Sequence, residues 1–173
     1  LNNKYKIKRL HYSIDGEIPY TEIYFKEKKI IKRYLPNYDN LIVLKDSKIK
    51  FTKKDSNNTI EMNGLMKIKD EFDHFDLKQT YNYNNKSHDI IGRIDLTNSK
   101  INVSKLNYNK DSGKKSEINF NINLILNNYY NIKKLLYISN NTKIDISQLQ
   151  LNKNFETDDF QKLEIKTFKD QDK

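Results

Sequence analysis

Apolar and polar residues alternate with a period of two over most of this chain. The most regular runs extend from Ile60 to Ile68, from Phe75 to Tyr83 and from Ile118 to Leu126. Asparagines occupy the alternate positions at the start of the last run. This period is typical of β-strands that bury one face and expose the other to water, so the pattern predicts antiparallel strands.

A strand-turn-strand unit is predicted between Ile90 and Tyr108. Apolar residues alternate from Ile90 to Leu96, the polar cluster Thr97 to Ser99 interrupts them, and the alternation resumes at Ile101. A similar turn core recurs at residues 46–51 and 141–146, with a short polar pair, a lysine and an isoleucine in the same order. The spacing of the three copies is unequal, which indicates a loose repeat of one sheet-building unit.

The N-terminal part predicts a hairpin and one short helix. Asp15-Gly16 is a dipeptide typical of tight turns, which predicts two strands on either side of it, the second from Ile18 to Phe25. Between Glu27 and Leu35 the apolar spacing becomes helical, and Pro36 ends that run. We therefore expect at most one short helix, near residues 27–35.

An apolar sheet face cannot remain in water, because exposure costs about 25 cal/mol for each Å² of apolar surface. Two sheets can pack as a β-sandwich, one sheet can close as a barrel, or one sheet can curl around something apolar. One short helix is too little to cover so many strands. The pattern predicts an all-β chain whose residues 1–173 form one β-rich segment without an internal boundary, and it leaves sandwich and groove open.

Two glycines fall at alternation positions on the predicted apolar face. Gly64 and Gly92 each replace an apolar side chain in a strand. A glycine there permits sharp curvature or the close approach of a ligand, and it equally marks a bulge or a tightly packed spot in a core.

Charge and composition favour a solvated outer face. The net charge of +9 would attract nucleic acid or anionic lipid, but the lysines are spread over the whole chain and form no focused patch. Tyrosine and lysine are interleaved in places, as in platforms that stack single-stranded nucleic acid. Tyrosine is abundant everywhere, however, and no segment resembles a known nucleic-acid-binding motif, so nucleic acid is not an expected partner.

Catalytic and metal-binding patterns are absent from the sequence. The chain has no cysteine, three scattered histidines and only four glycines, too few for a phosphate-binding loop. The acidic stretch from Asp70 to Asp76 lacks the residue order of an EF-hand, and we interpret it as a solvated turn with Phe72 and Phe75 packing inward. We expect no enzyme activity, no cofactor and no metal site.

The sequence contains no signal-peptide pattern and no apolar run of the roughly 18 residues that a membrane-spanning helix requires. It begins at Leu1 and ends in a polar stretch. We expect a segment of a longer protein, with any membrane anchor outside it.

A family resemblance rests on the unit that begins at Gly92. The motif Gly92-Arg93-Ile94-Asp95-Leu96-Thr97 is followed by Ile101, Val103, Leu106, Tyr108, Lys110 and Gly113, and then by the alternating strand from Ile118. This order resembles AsmA-like proteins of the YhdP type over residues 60–150. Those proteins often carry a tryptophan before the lysine loop, where this chain has Tyr108-Asn109.

The resemblance implies one extended, curled antiparallel sheet that forms an apolar groove. AsmA-like proteins are large, are anchored in the bacterial inner membrane by one N-terminal helix, and are thought to carry phospholipid across the periplasm to the outer membrane. It therefore implies a periplasmic segment of the cell envelope that shields phospholipid acyl chains, with phospholipid and other envelope proteins as partners and a part in outer-membrane biogenesis.

The predicted lipid-binding residues are the apolar side chains that alternate inward in the resembling region. Ordinary β-sandwich core is the other interpretation of each one, and an adhesive or scaffolding β-sandwich or a basic single-strand binder are the other functions. The predicted residues are Ile60, Met62, Met66, Ile68, Phe75, Leu77, Ile90, Ile94, Leu96, Ile101, Val103, Ile118, Phe120, Ile122 and Leu124.

Overall fold

The computed structural model describes residues 11–24, 40–68, 71–103, 107–125 and 128–168, and in these ranges the regular structure is β-strand without helix. The helix predicted near residues 27–35 lies outside the described residues. The strands are β1 (Tyr12–Tyr24), β2 (Leu41–Lys54), β3 (Asn57–Lys67), β4 (Phe72–Asn82), β5 (Ser87–Asp95), β6 (Ile101–Val103), β7 (Tyr108–Lys110), β8 (Ser116–Ile125), β9 (Tyr129–Ser139), β10 (Thr142–Asn152), β11 (Thr157–Asp159) and β12 (Lys162–Thr167).

Ten of these strands form one open antiparallel sheet. Their order is β1-β2-β3-β4-β5-β8-β9-β10-β11, and β12 pairs with β10 beside β11. The strands β6 and β7 pair only with each other, between β5 and β8 along the chain. The prediction of a single extended antiparallel sheet is therefore confirmed, and the sheet does not close on itself.

The hairpin turn predicted at Asp15-Gly16 is wrong. Asp15 pairs with Lys50 and Gly16 with Ile49, so β1 runs through the dipeptide as one continuous strand. A two-residue turn requires the strands on its two sides to pair with each other. Here both sides pair with the long strand β2, and this partner keeps the chain extended.

One of the three predicted turn cores is a β-bulge instead. Asp46 adopts a φ of 47°, and the pairing of β2 with β3 shifts register between Lys45 and Lys48. The extra residue bends the strand. Before it the even-numbered residues of β2 share a face with Leu44, and after it the odd-numbered residues do. The other two copies do form turns, near Asn98 and between β9 and β10.

Few side chains are fully buried in the described sheet. The main buried cluster consists of Leu44, Met66 and Phe75, and half-buried neighbours such as Met62 and Leu77 pack against it. A single sheet covers each side chain only by its neighbours on the same face, whereas two packed layers would bury most of them. Half-burial is therefore the normal state of the apolar side chains in this protein.

Candidate functional site

The strand register gathers the apolar side chains on one face of the sheet. Paired residues in antiparallel strands point to the same side, so partners can be followed from strand to strand as a row. Three such rows define what we call the apolar face. The first is Ile14, Phe51, Ile60, Gln79, Ile90, Ile122, Ile132 and Leu149; the second is Gly16, Ile49, Met62, Leu77, Gly92, Phe120, Leu135, Ile146 and Leu163; the third is Ile18, Ser47, Gly64, Phe75, Ile94, Ile118, Tyr137, Ile144 and Ile165.

Most of the sequence-predicted residues lie in these rows or directly beside them. Met66 continues the face beyond the third row, where it pairs across from Leu44, and Leu124 continues it beyond the first. Ile68 and Leu96 follow the ends of β3 and β5, and Ile68 packs on the buried cluster. Ile101 and Val103 lie on β6, outside the large sheet.

Sequence reasoning missed the part of the apolar face that lies outside β3, β4, β5 and β8. The same alternation runs through β1, β2, β9, β10 and β12, and this signal could have extended the set. Single extra residues interrupt this alternation, so that apolar residues change from even to odd positions or back. One interruption is the bulge beside Asp46, and the others are at Lys133 of β9 and Gln148 of β10, which are absent from the paired residues of these strands. The missed residues include Ile14, Ile49, Phe51, Ile132, Leu135, Ile144, Ile146, Leu149, Leu163 and Ile165.

Both strand glycines make room for a neighbour within the protein. A Cβ on Gly92 would come 2.9 Å from ring carbons of Phe120, because the phenyl ring lies over this glycine. A Cβ on Gly64 would come 2.6 Å from Cα of Ser47, at the bulge of β2. Each glycine therefore marks a close contact on the apolar face, as the core interpretation expects.

One end of the apolar face is crossed by the hairpin of β6 and β7, which we call the side hairpin. Asp73 of β4 lies on the apolar face opposite Met66 and is buried. Its carboxylate accepts hydrogen bonds from the backbone N–H of Asn98 at 2.8 Å and from Ser99 Oγ at 2.6 Å. The acidic segment therefore supplies an anchor for the side hairpin, and its Phe72 and Phe75 lie on opposite faces of β4, contrary to the prediction that both pack inward.

A buried ammonium group holds the base of the side hairpin. Lys110 is 3% exposed, and its Nζ donates to the carbonyl oxygens of Thr97 at 3.2 Å, Ser99 at 2.7 Å and Asp111 at 3.0 Å. Burial lowers the pKa of this lysine, and nearby Asp73 opposes that shift. Three carbonyl partners satisfy all three donors of an ammonium, which fixes the turn geometry.

The side hairpin also contacts the far side of the face at β9. The hydroxyl groups of Tyr108 and Tyr137 lie 2.7 Å apart, and Tyr108 donates to Ser139 Oγ at 3.2 Å. Burial and the Tyr108 contact raise the pKa of Tyr137 well above its ordinary range. The hairpin thus spans from β4 to β9 and forms a wall along this end of the apolar face.

The opposite end of the apolar face carries a mixed row, which we call the tyrosine row. It consists of Tyr12, Lys53, Asn58, Tyr81, His88, Leu124, Tyr130 and Leu151.

Aromatic contacts order this row. The ring centroids of Tyr81 and His88 lie 4.7 Å apart, and His88 Nδ1 is 2.8 Å from Gln79 Nε2. Tyr130 stacks on Phe155 at 4.5 Å, and Lys53 Nζ lies 3.9 Å above the ring of Tyr83. Amphipathic aromatic side chains and a cation therefore line this end.

The other face of the sheet is polar and cross-linked by ion pairs. Lys78 pairs with Glu61 and Arg93 with Glu117, both at 2.7 Å between nitrogen and oxygen, and Lys133 pairs with Asp89 at 3.1 Å. Two open depressions of about 630 and 530 Å³ lie against this face. These two depressions therefore belong to the polar face.

Within the described ranges no helix is long and apolar enough to cross a membrane. Three or more His, Cys, Asp or Glu side chains do not come together anywhere in those ranges in a way that could hold a metal ion.

Comparison of the chain with family models, with curated proteins and with solved structures found no match.

Proposed function

We propose that this chain is a noncatalytic β-sheet segment that shields phospholipid acyl chains on its apolar face, as part of a lipid-transporting protein of the bacterial cell envelope. The observation that carries the proposal is the set of three apolar rows that continues from β1 to β10 in the open sheet. Apart from the side hairpin at one end, no second layer covers these rows in the part of the chain that the structure describes.

The exposed apolar side chains explain why an apolar ligand would bind. Ile14, Leu163 and Ile165 are each more than half exposed at the edges of the apolar face. Complete burial of an acyl CH₂ group is worth about 0.8 kcal/mol, and contact with an open apolar face realises part of this gain. A lipid chain of ordinary length thus gains enough from many such contacts to remain on the face, and no bond needs to be made or broken.

The resemblance to AsmA-like proteins supports the cellular setting. We place the chain in the periplasm, as a part of an inner-membrane-anchored protein that moves phospholipid towards the outer membrane. Protease accessibility of the native, full-length protein in spheroplasts tests this location. Digestion of this segment only after the inner membrane is broken would contradict it.

Mass spectrometry of organic extracts from the purified protein tests lipid binding. We expect phospholipid in stoichiometric amount, and its loss in Ile94→Lys and Phe120→Asp, which place charge on the apolar face. Ile91→Lys is the matched control, because Ile91 is half exposed on the polar face one residue from Gly92.

Circular dichroism of the same variants separates binding from folding. The proposal expects the apolar-face variants to lose lipid while they keep their strand signal. A lipid-free and stable wild-type protein would contradict it and favour a dry scaffolding sheet.

A further inference from the structure

We infer that bound phospholipid has one orientation on this sheet, with its headgroup at the tyrosine row and its acyl chains running along the strands towards the side hairpin. This inference rests on the proposed function and adds the polarity of the site. It also assigns a headgroup-binding role to Lys53 and His88, which face the same side as the apolar rows.

The tyrosine row has the chemistry of a lipid interface. Tyrosine presents an apolar ring and a polar hydroxyl group, and such side chains concentrate where hydrocarbon meets headgroups. Lys53 and His88 stand in the same row and carry N–H groups that can donate to a phosphate, while the side-chain amide of Asn58 donates to the hydroxyl group of Tyr83. The first apolar row begins directly beside them.

At the other end of the face, the two buried charged groups are already engaged. Asp73 is engaged by Asn98 and Ser99, and the Lys110 ammonium is surrounded by three carbonyl oxygens. These polar groups are directed to one another, and the Asp73 carboxylate would repel a phosphate. A headgroup can therefore accept hydrogen bonds from Lys53 and His88 at the tyrosine row, whereas the donors of Lys110 are already used by carbonyl oxygens.

The dimensions of the face agree with this orientation. Adjacent rows are two residues apart along β1 to β5 and β8, so on these strands the first and third apolar rows are separated by four residue steps, or about 14 Å at ~3.4 Å per residue. Half of a bilayer's ~30 Å hydrocarbon core is about 15 Å. A chain that begins at the first apolar row, next to a headgroup at the tyrosine row, thus reaches the third apolar row, where Tyr137 contacts Tyr108 of the side hairpin.

Single-tryptophan reporters can measure the orientation, since the chain contains no tryptophan. Tyr130→Trp reports from the tyrosine row, Ile118→Trp from the third apolar row, and Ile91→Trp from the polar face as the control. Each protein is loaded with phosphatidylglycerol that carries a nitroxide quencher either on the headgroup or near the end of one acyl chain.

We expect the headgroup quencher to act several-fold more strongly on Tyr130→Trp than on Ile118→Trp, and the chain-end quencher to show the opposite preference. A reversed pattern, or equal quenching of both reporters by each probe, would overturn the orientation and leave acyl-chain binding intact. Quenching no greater than in Ile91→Trp would instead contradict the proposed function itself.

Charge reversal tests the headgroup contact separately. Lys53→Glu should lower the affinity for phosphatidylglycerol several-fold, because the row then repels the phosphate. Lys54→Glu is the matched control, since it makes the same change one residue away on the polar face. Equal effects of the two variants would overturn the assignment of Lys53.

Discussion

At the scale of single residues, neighbours in sequence have opposite environments because successive side chains of a strand point to opposite faces. Gly92 lies under the ring of Phe120 on the apolar face, while Arg93 beside it pairs with Glu117 on the polar face. A substitution is therefore interpreted by its face and its cross-strand partner.

Gly92→Ala should destabilise the protein by about 1–2 kcal/mol, because the new methyl group displaces the Phe120 ring from its position over the glycine. Urea denaturation measures the change. Gly16→Ala is the control in the same row, since its Cβ would lie at an ordinary 3.4 Å from Ile49 Cγ2. Equal effects of the two substitutions would contradict this account, and Phe120→Val should reduce the cost of Gly92→Ala.

Asp145 should make stability depend on pH in the acid range. Lys134 donates a hydrogen bond to this buried carboxylate and holds its pKa below the ordinary value, and Lys162 at 3.2 Å adds to the effect. The folded state therefore binds this proton less readily than the unfolded state does. Its contribution is complete above the unfolded pKa of about 3.9 and is lost as the pH falls through the lower folded pKa.

Urea midpoints of Asp145→Asn and the wild type should therefore differ at pH 7 and converge as the medium becomes strongly acidic. The exposed Asp158→Asn serves as the control and should follow the wild type throughout. A difference that is constant with pH would show that the carboxylate charge is not the cause.

At the scale of elements, the side hairpin is the part of the described structure that depends most on buried polar contacts. Asp73, Lys110 and Tyr108 hold it, and their partners are backbone groups or hydroxyl groups rather than apolar surface. Such contacts fix geometry strictly, because a buried polar group that loses its partner is costly.

Lys110→Met should loosen the side hairpin at a cost of about 1–3 kcal/mol, because the carbonyl groups of Thr97, Ser99 and Asp111 lose their donor. Hydrogen exchange should rise in residues 96–103 and 107–115 before it rises in the large sheet. Lys114→Met removes an exposed lysine of the same loop and should leave exchange unchanged. Unaltered protection of the hairpin in Lys110→Met would contradict its anchoring role.

At the scale of the whole molecule, a single open sheet is stabilised mainly between neighbouring strands. The substantial contacts between the described elements join strands that are adjacent in a sheet. This resembles the nearest-neighbour stability of repeat proteins, in which end units are supported on one side only.

Hydrogen exchange should therefore fall off from the middle of the sheet to its edges. We expect the slowest exchange in β4, β5 and β8 and the fastest in β1 and β12, each of which has one sheet neighbour. Bound phospholipid should slow exchange at both edges, where the apolar face is most exposed. Uniform protection across the strands would indicate a covering layer.

The fifteen predicted lipid-binding residues show what the local alternation of apolar and polar residues can predict and what it cannot. Alternation alone predicts that Ile60, Ile94 and Phe120 share one face, and the register places them in the apolar rows. Ile101 and Val103 follow the same alternation but belong to the side hairpin. Alternation could not predict this, because a pattern of two or three residues does not indicate which strand they pair with.

By itself the sequence determined the strands and the side to which most of their residues point, because the period of two is a property of the extended backbone. Tertiary structure alone decided that Asp15-Gly16 continues β1, that Asp46 forms a bulge, and that Lys110 is buried beneath the side hairpin. These features depend on which distant strand lies alongside, and pairing between residues far apart in sequence leaves no periodic trace in the chain.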